Sequence, residues 1–94
     1  MLFRSHSWNT LGVAHYRTGD WHAASVALQK SEELSPGTYL GDNAFFLAMA
    51  HLRLGDQDEA RRWYDRAVEW MEKNKSQDEE LKRFRAEAAE LLGV

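Results

Sequence analysis

One pattern of residues occurs twice in this chain, and it restricts the possible folds more than any other feature of the sequence. The first copy lies in WNTLGVAHYRTGDWHAA and the second in AFFLAMAHLRLGDQDEA. Matched residues are 36 positions apart, and the clearest pairs are Leu11 and Leu47, His15 and His51, Gly19 and Gly55, Asp20 and Asp56, and Ala24 and Ala60. A repeat of this length is typical of stacked helical units, each of which buries its apolar face against the next.

Within each copy, apolar residues recur every three or four positions, which is the period of an α-helix. A Gly-Asp pair separates two such segments, because glycine suits the left-handed end of one helix and aspartate caps the next. The sequence predicts five helices, at about residues 5–18, 21–34, 42–54, 57–74 and 77–92. Asp42 is the expected N-cap of the third helix, and Ser76-x-x-Glu79 is the expected capping box of the fifth.

Small residues in the middle of the helices predict where two helices approach closely. Gly12 and Ala48 occupy matched positions. A mid-helix glycine lowers helix stability by about 1 kcal/mol relative to alanine, a cost that is acceptable where a second helix must approach the backbone closely. Ala24 and Ala60 are the expected small residues on the facing helices. The fifth helix has one apolar stripe that is expected to cover the end of the stack, formed by Leu81, Phe84, Ala88, Leu91 and Leu92.

Taken together, these residues resemble the tetratricopeptide repeat (TPR). Its pattern of W-x2-L-G, G-D-aromatic, A-x3-large residue and a final proline is matched in the first copy by Trp8, Leu11, Gly12, Gly19, Trp21, Ala24, Leu28 and Pro36. The second copy matches it at Leu47, Ala48, Gly55, Ala60, Tyr64 and Ala67. The resemblance implies an all-α fold, a TPR-type α-solenoid. One domain, residues 1–94, would then contain two helix-turn-helix repeats, at 5–36 and 42–74, and a C-terminal capping helix at 77–92.

The chain departs from the repeat pattern at a few positions. His15 and His51 replace the usual tyrosine, Ala44 replaces the tryptophan, and Glu72 stands where the second proline would be. The segments AMAHLRLGDQDEARRWYDRAVEWME and LKRFRAEAAELLG also resemble TPR regions of large bacterial multidomain proteins, many of which carry a Ser/Thr-kinase-like domain. No kinase motif occurs in these residues.

Composition and motifs argue against an enzyme, and no cofactor or metal is expected. The chain has no cysteine, which excludes disulfides, a thiol nucleophile and cysteine-ligated metal sites. The four histidines form no metal-binding motif, and no serine lies in a nucleophile-elbow context. A net charge of −3 does not indicate nucleic acid or an anionic membrane as a partner. No apolar run is long enough for a membrane span or a signal peptide, so the expected location is the cytoplasm.

The histidines and tryptophans have simpler interpretations than ligand binding. His15 and His51 share a position at a helix–helix contact, which favours packing over ligation. Trp8 and Trp21 are expected in the core, since aromatic residues at helical spacing are more often core than ligand cage. Trp70 is expected in the core or at an interface, and for Trp63 the sequence leaves both a core and an outward position open.

The resemblance implies a non-catalytic protein–protein interaction module. In this family the first helix of each pair lines a concave groove that holds a peptide or a helix. Carried over by position, the groove residues are Asn9, Val13, Tyr16, Arg17, Phe45, Met49, Leu52 and Arg53. The carboxylate clamp of some relatives is absent, because Asn9 replaces its lysine, and Val13 and Met49 replace its asparagines. The groove is therefore expected to be an apolar strip with Arg17 and Arg53 at its rim.

Two uses of this groove remain open at the level of sequence. It can receive a protein or peptide, with the two arginines attracting an acidic flank. Alternatively, its apolar residues can pack against a second copy or against neighbouring repeats. The chain would then be a homo-oligomer, or a structural or self-associating segment of a larger multidomain protein. Exposed apolar patches mark interfaces of either kind.

Overall fold

The computed structural model describes residues 5–37 and 40–94, with side chains from Trp8 onward. Within these residues the chain forms five α-helices and no strand: α1 Ser5–Arg17, α2 Trp21–Leu34, α3 Leu40–Arg53, α4 Gln57–Asn74 and α5 Glu79–Leu92. α1 and α2 form one helix hairpin, α3 and α4 form the second, and α5 packs mainly against α3. The predicted all-α helical repeat fold is confirmed.

The two hairpin turns have the same geometry, as the repeated Gly-Asp pair predicts. Gly19 and Gly55 both have a φ of 90°, which is the left-handed conformation. In each turn the aspartate amide donates to the carbonyl oxygen of the histidine five residues earlier, at 2.9 Å. The carboxylates of Asp20 and Asp56 each accept a hydrogen bond from the backbone amide three residues later, at 3.2 Å. Both aspartates are therefore N-caps, as predicted.

Two predicted helix starts are wrong. α3 is already helical at Leu40, so Asp42 lies in its first turn and is not its N-cap. The earlier start is supported by packing, because a Cβ atom added to Gly41 would be only 3.0 Å from the Trp70 ring. α5 begins after Asp78, whose Oδ1 accepts a hydrogen bond from the amide of Leu81 at 3.0 Å. Ser76 and Asp78 are both suitable N-cap residues. Leu81 is buried, and its backbone amide is the one that Asp78 caps, so α5 begins after Asp78.

The predicted close approach within the first hairpin is present at Gly12. A Cβ atom added there would be 2.5 Å from Cγ of Leu28, which is too close for any side chain without a shift. Ala48, at the matched position of α3, is fully buried, and so are Ala24 and Ala60 on the facing helices. Small residues therefore occupy the matched buried positions of both hairpins.

The core is centred on α3, which contacts all four other helices. Its residues 43–50 are all completely buried. The apolar stripe of α5 packs against this core: Leu81 and Ala88 are buried, and Phe84, Leu91 and Leu92 are partly buried. Gly93 ends α5 with a φ of 79°, in the left-handed conformation that favours glycine.

Candidate functional site

The residues predicted for the concave groove lie in different environments. Phe45 and Met49 are fully buried, and the Phe45 ring packs against Tyr64 of α4, with ring centroids 5.9 Å apart. The prediction that these two side chains line an open groove is wrong, because α3 is enclosed by the other four helices. They belong to the core and are not accessible to a peptide or to a second copy.

Leu52 and Val13 are both partly buried. Leu52 lines a cavity of about 230 Å³ between the end of α3, the start of α4 and the chain end, together with Gln57, Arg61, Leu92 and Val94. Val13 is partly buried and packs against the core.

Of the other predicted residues, Arg17 and Arg53 are exposed and lie over a row of aromatic rings, whereas Tyr16 is buried within that row and does not line an open groove. The row, called here the aromatic row, consists of Trp21, Tyr16, Phe46 and Phe84. Successive ring centroids are 5.2, 5.6 and 4.8 Å apart, and the rings are tilted or edge-on to one another. Such pairs are favourable for aromatic packing. The row crosses the molecule from α2 through α1 and α3 to α5.

Two arginines lie on the aromatic row. The guanidinium carbon of Arg53 is 5.2 Å from the centroid of Trp21. That of Arg17 is 5.2 Å from Phe46 and 5.9 Å from Tyr16. Cations at these distances over aromatic faces are attracted by about 0.5–1 kcal/mol at exposed sites. The rings therefore help to hold both guanidinium groups in defined positions at the surface.

The two arginines differ in their carboxylate partners. Both terminal nitrogens of Arg17 donate to the Glu87 carboxylate of α5, at 2.6 and 3.0 Å. This hydrogen bond raises the pKa of Arg17, so the guanidinium stays charged. Arg53 is exposed, and no carboxylate among residues 5–37 and 40–94 forms an ion pair with it. The Arg53 guanidinium is thus held in position by Trp21 and is accessible to an anionic group.

The sequence was compared with the profiles of known protein families. The family profile described as "Tetratricopeptide repeat" matches residues 3–73, about three quarters of the chain. The chain belongs to the tetratricopeptide repeat family. Members of this family generally act as non-catalytic modules that mediate protein–protein interactions. Comparisons with curated proteins and with solved structures gave no match.

Sequence reasoning missed three residues of this TPR surface as site residues. Trp21 was expected only in the core, although its place directly after the Gly-Asp turn brings it back onto Tyr16. Phe84 and Glu87 are three positions apart on α5 and so share a helix face. Nothing in the sequence indicates that this face reaches Arg17 of α1, because that contact depends on how α5 packs on α3.

Asn9 belongs to a buried polar network in this TPR domain. Its Nδ2 donates to Oδ1 of Asn43 at 2.8 Å. Asn43 is fully buried and donates through Nδ2 to Oγ of Ser31 at 3.2 Å and to Oε1 of Glu32 at 3.1 Å. The network joins α1, α2 and α3, and its bonds compensate for burying the Asn43 amide. The Asn9 amide thus has a structural role here.

A separate cavity of about 260 Å³ lies where α3 begins, α4 ends and α5 begins. Its lining residues are Gly41, Asp42, Trp70, Lys75, Asp78, Glu80 and Leu81. The pKa of Asp42 is raised to about 6, mainly by burial and also by charge repulsion from Glu80 and Asp78, while Lys75 opposes the change. In the part of the chain that the structure describes, no three His, Asp or Glu side chains are grouped to hold a metal ion.

The tryptophans outside the aromatic row and His51 are partly buried. Trp63, whose position the sequence left open, is partly buried. The guanidinium carbon of Arg66 lies over its ring, 4.6 Å from the ring centroid. The Nε1 of Trp63 and the Nε2 of His51 are buried without a hydrogen-bond partner among the described residues. Trp8, Trp21 and Trp70 are partly buried. None of the helices in the described ranges is both long and apolar enough to cross a membrane.

Proposed function

We propose that this TPR domain binds an acidic segment of a partner protein at the aromatic row. The observation that carries the proposal is Arg53, an exposed guanidinium stacked on Trp21 that has no carboxylate partner among the described residues. Arginine forms two parallel hydrogen bonds to a carboxylate, and an oriented guanidinium loses little freedom when it does so. A partner carboxylate is the group that best complements this position.

The neighbouring rings support an apolar contact beside the charge. Trp21 is partly exposed at one end of the row, and Phe84 is partly exposed at the other. A partner segment with an Asp or Glu next to a large apolar side chain would use both the arginine and the ring surface. The proposal requires no cofactor or metal. Nucleic acid and membrane are not proposed as partners, because the net charge of −3 does not favour them.

A peptide array tests this proposal. Each peptide would carry one Asp or Glu beside apolar residues. In the companion peptides this acidic residue is replaced by Asn or Gln, or by Lys. We expect the purified domain to bind the acidic members. Arg53→Ala is expected to weaken this binding at least about tenfold, the effect of losing one charge-assisted contact.

Arg66→Ala is the matched control, because Arg66 is also an exposed arginine stacked on a tryptophan, Trp63, but lies on α4. It should leave binding unchanged. Equal binding of acidic and amide peptides would contradict the proposal. So would equal losses in the two arginine variants.

A second candidate function is that of a structural or self-associating segment of a larger multidomain protein, in a bacterial cytoplasm and beside a kinase-like domain. The resemblance of the sequence to such proteins supports it, and so does the exposure of Leu11 on α1, 44%, at a position whose match in the second repeat, Leu47, is fully buried. Sedimentation of the isolated chain, followed by the same measurement on the longest natural chain that contains it, separates this role from peptide binding.

A further inference from the structure

Arg17 and Arg53 occupy the same position of the two repeats, 36 residues apart, and both lie over the aromatic row. The path between them runs from the Arg53 guanidinium to Trp21, from Trp21 to Tyr16 and from Tyr16 to the Arg17 guanidinium, in contacts of 5.2, 5.2 and 5.9 Å. A peptide of about five extended residues spans this path. By position alone, the two guanidinium groups would suit a segment that carries two carboxylates.

One of the two guanidinium groups is already taken by the chain itself. Both terminal nitrogens of Arg17 donate to the Glu87 carboxylate, at 2.6 and 3.0 Å. A bidentate pair of this kind occupies both nitrogens and neutralises the guanidinium charge. A second carboxylate therefore gains little at Arg17 unless Glu87 leaves.

The packing of α5 holds Glu87 at this place. Phe84 lies three residues earlier on the same helix face, and its ring packs on Phe46 with centroids 4.8 Å apart. Phe46 is also the ring that lies 5.2 Å from the guanidinium carbon of Arg17. With Phe84 and Glu87 together, α5 supplies at Arg17 an aromatic ring and a carboxylate, the two kinds of group that the proposed partner supplies at Arg53.

We propose that Glu87 is a specificity-determining residue of the binding site, an internal competitor that keeps Arg17 from the partner. The site then has one available guanidinium on the aromatic row, that of Arg53, and a second acidic residue in the partner adds little to its affinity. When such a residue displaces Glu87, one ion pair on Arg17 replaces another and the number of pairs stays the same. This inference rests on the proposed function, because it concerns the same acidic partner.

The exposure of the pair sets the size of the expected effect. The side chains of Arg17 and Glu87 are 49% and 37% exposed, so their ion pair lies at the surface. A pair of this kind changes an equilibrium by no more than about fivefold. Removal of Glu87 should therefore raise the gain from a second acidic residue from less than about twofold to about threefold to fivefold.

Fluorescence anisotropy with matched peptides measures this gain. One peptide of each pair has a single Asp or Glu beside apolar residues, and the other has a second one placed two to five residues away. The natural chain is expected to bind both members alike, whereas Glu87→Ala should prefer the member with two acidic residues. If Glu87 serves only to hold α5, the substitution changes both affinities equally, and this result overturns the proposal.

Glu72→Ala is the matched control. Glu72 is an exposed glutamate of α4 that pairs with Arg85 of α5 at 3.6 Å, so its removal changes the net charge equally and also costs α5 an ion pair. The ratio of the two affinities should remain that of the natural chain. A ratio that rises equally in Glu72→Ala and Glu87→Ala overturns the assignment to Glu87.

NMR of the arginine side chains tests the competition without a partner peptide. Acetate is the probe, and chloride at the same ionic strength is the reference. We expect acetate to shift the Nε resonance of Arg53 in the natural chain, and those of both Arg53 and Arg17 in Glu87→Ala. An Arg17 response that is equal in the two proteins overturns the proposal. If the natural chain binds no acidic peptide, the proposed function fails, and the acetate measurement still decides the role of Glu87.

Discussion

The two repeats have matching sequence patterns but bury matched positions to different extents. Leu47 is fully buried, whereas Leu11 is 44% exposed. The same contrast holds for Ala50, which is fully buried, and Ala14, which is exposed. The surface of the second hairpin is also more charged, because α4 contains nine charged residues and α2 contains three.

The cause of the difference is the place of each repeat in the stack. α3 packs against all four other helices, whereas α1 packs against α2 and α3 and meets α5 through the Arg17–Glu87 ion pair at its last residue. The turns and caps of the two hairpins are nevertheless the same, because they depend on residues within one hairpin. The comparison shows that the repeat pattern specifies the hairpin, and that neighbouring helices decide how much of each residue is buried.

The largest expected effect tests this contrast with one substitution at two matched sites. Leu47→Ala is expected to lower the free energy of unfolding by about 2–4 kcal/mol, since it leaves a cavity in the core. Leu11→Ala should lower it by less than about 1 kcal/mol, because much of Leu11 is already in water. Urea denaturation followed by far-UV circular dichroism measures both. Similar losses at the two sites would mean that the repeats are buried alike in solution.

A smaller effect is expected at the matched pair Gly12 and Ala48. Alanine is the better helix former by about 1 kcal/mol, but a Cβ at Gly12 would meet Leu28 at 2.5 Å. Gly12→Ala is therefore expected to destabilise the protein by about 1–2 kcal/mol through overpacking. Ala48→Gly should destabilise it as well, by about 1 kcal/mol, because α3 accommodates the methyl group. A more stable Gly12→Ala variant in the same denaturation assay would show that the first hairpin is looser than described.

The smallest expected effect concerns Asp42, at the enclosed start of the second repeat. Its pKa is raised from 3.8 to about 6 by burial and by Glu80 and Asp78, with Lys75 opposing. The folded state therefore binds the proton more tightly, and the associated stability is present below about pH 4 and is lost as the pH rises through 6. Asp42→Asn should stabilise the protein at pH 8 by about 1 kcal/mol, a value that allows for solvent screening of this partly exposed group.

Denaturation midpoints of the natural chain and of Asp42→Asn between pH 4 and pH 8 check this dependence. The difference between the two proteins should disappear toward pH 4, where Asp42 is protonated in the folded state. Asp58→Asn, an exposed aspartate in the first turn of α4, is the control. If both variants show the same pH dependence, the enclosure of Asp42 is not its cause.

Much of the fold followed from local signals in the sequence. The Gly-Asp turns, the small residues at Gly12 and Ala24, and the five helical segments were all predictable, because each depends on residues close in sequence or on the helical period. The starts of α3 and α5 were not. For α5 the local signals allow two caps, Ser76 and Asp78, and the burial of Leu81 is consistent with Asp78. For α3 the only cap signal named, Asp42, lies inside the helix, and Gly41 before it packs closely against Trp70 of α4.

The candidate site was predictable only in part. Arg17 and Arg53 were named from the repeat pattern and are exposed beside the aromatic row, whereas Tyr16, named with them, is buried within the row. Phe45 and Met49 were assigned to a groove, although α3 is enclosed on every side and holds them in the core. A position within a repeat predicts which way a side chain points from its helix, but it does not predict what lies opposite.

The sequence by itself determined the helical period, the hairpin turns, the caps at Asp20 and Asp56 and the family, because these rest on contacts within a few residues or on a recurring pattern. The tertiary structure alone decided that Glu87 of α5 pairs with Arg17, that Arg53 has no such partner among the described residues, and that Leu11 is exposed where Leu47 is buried. The physical reason is that these features depend on how whole helices pack. That packing minimises the exposed apolar area of the entire stack, to which every helix contributes.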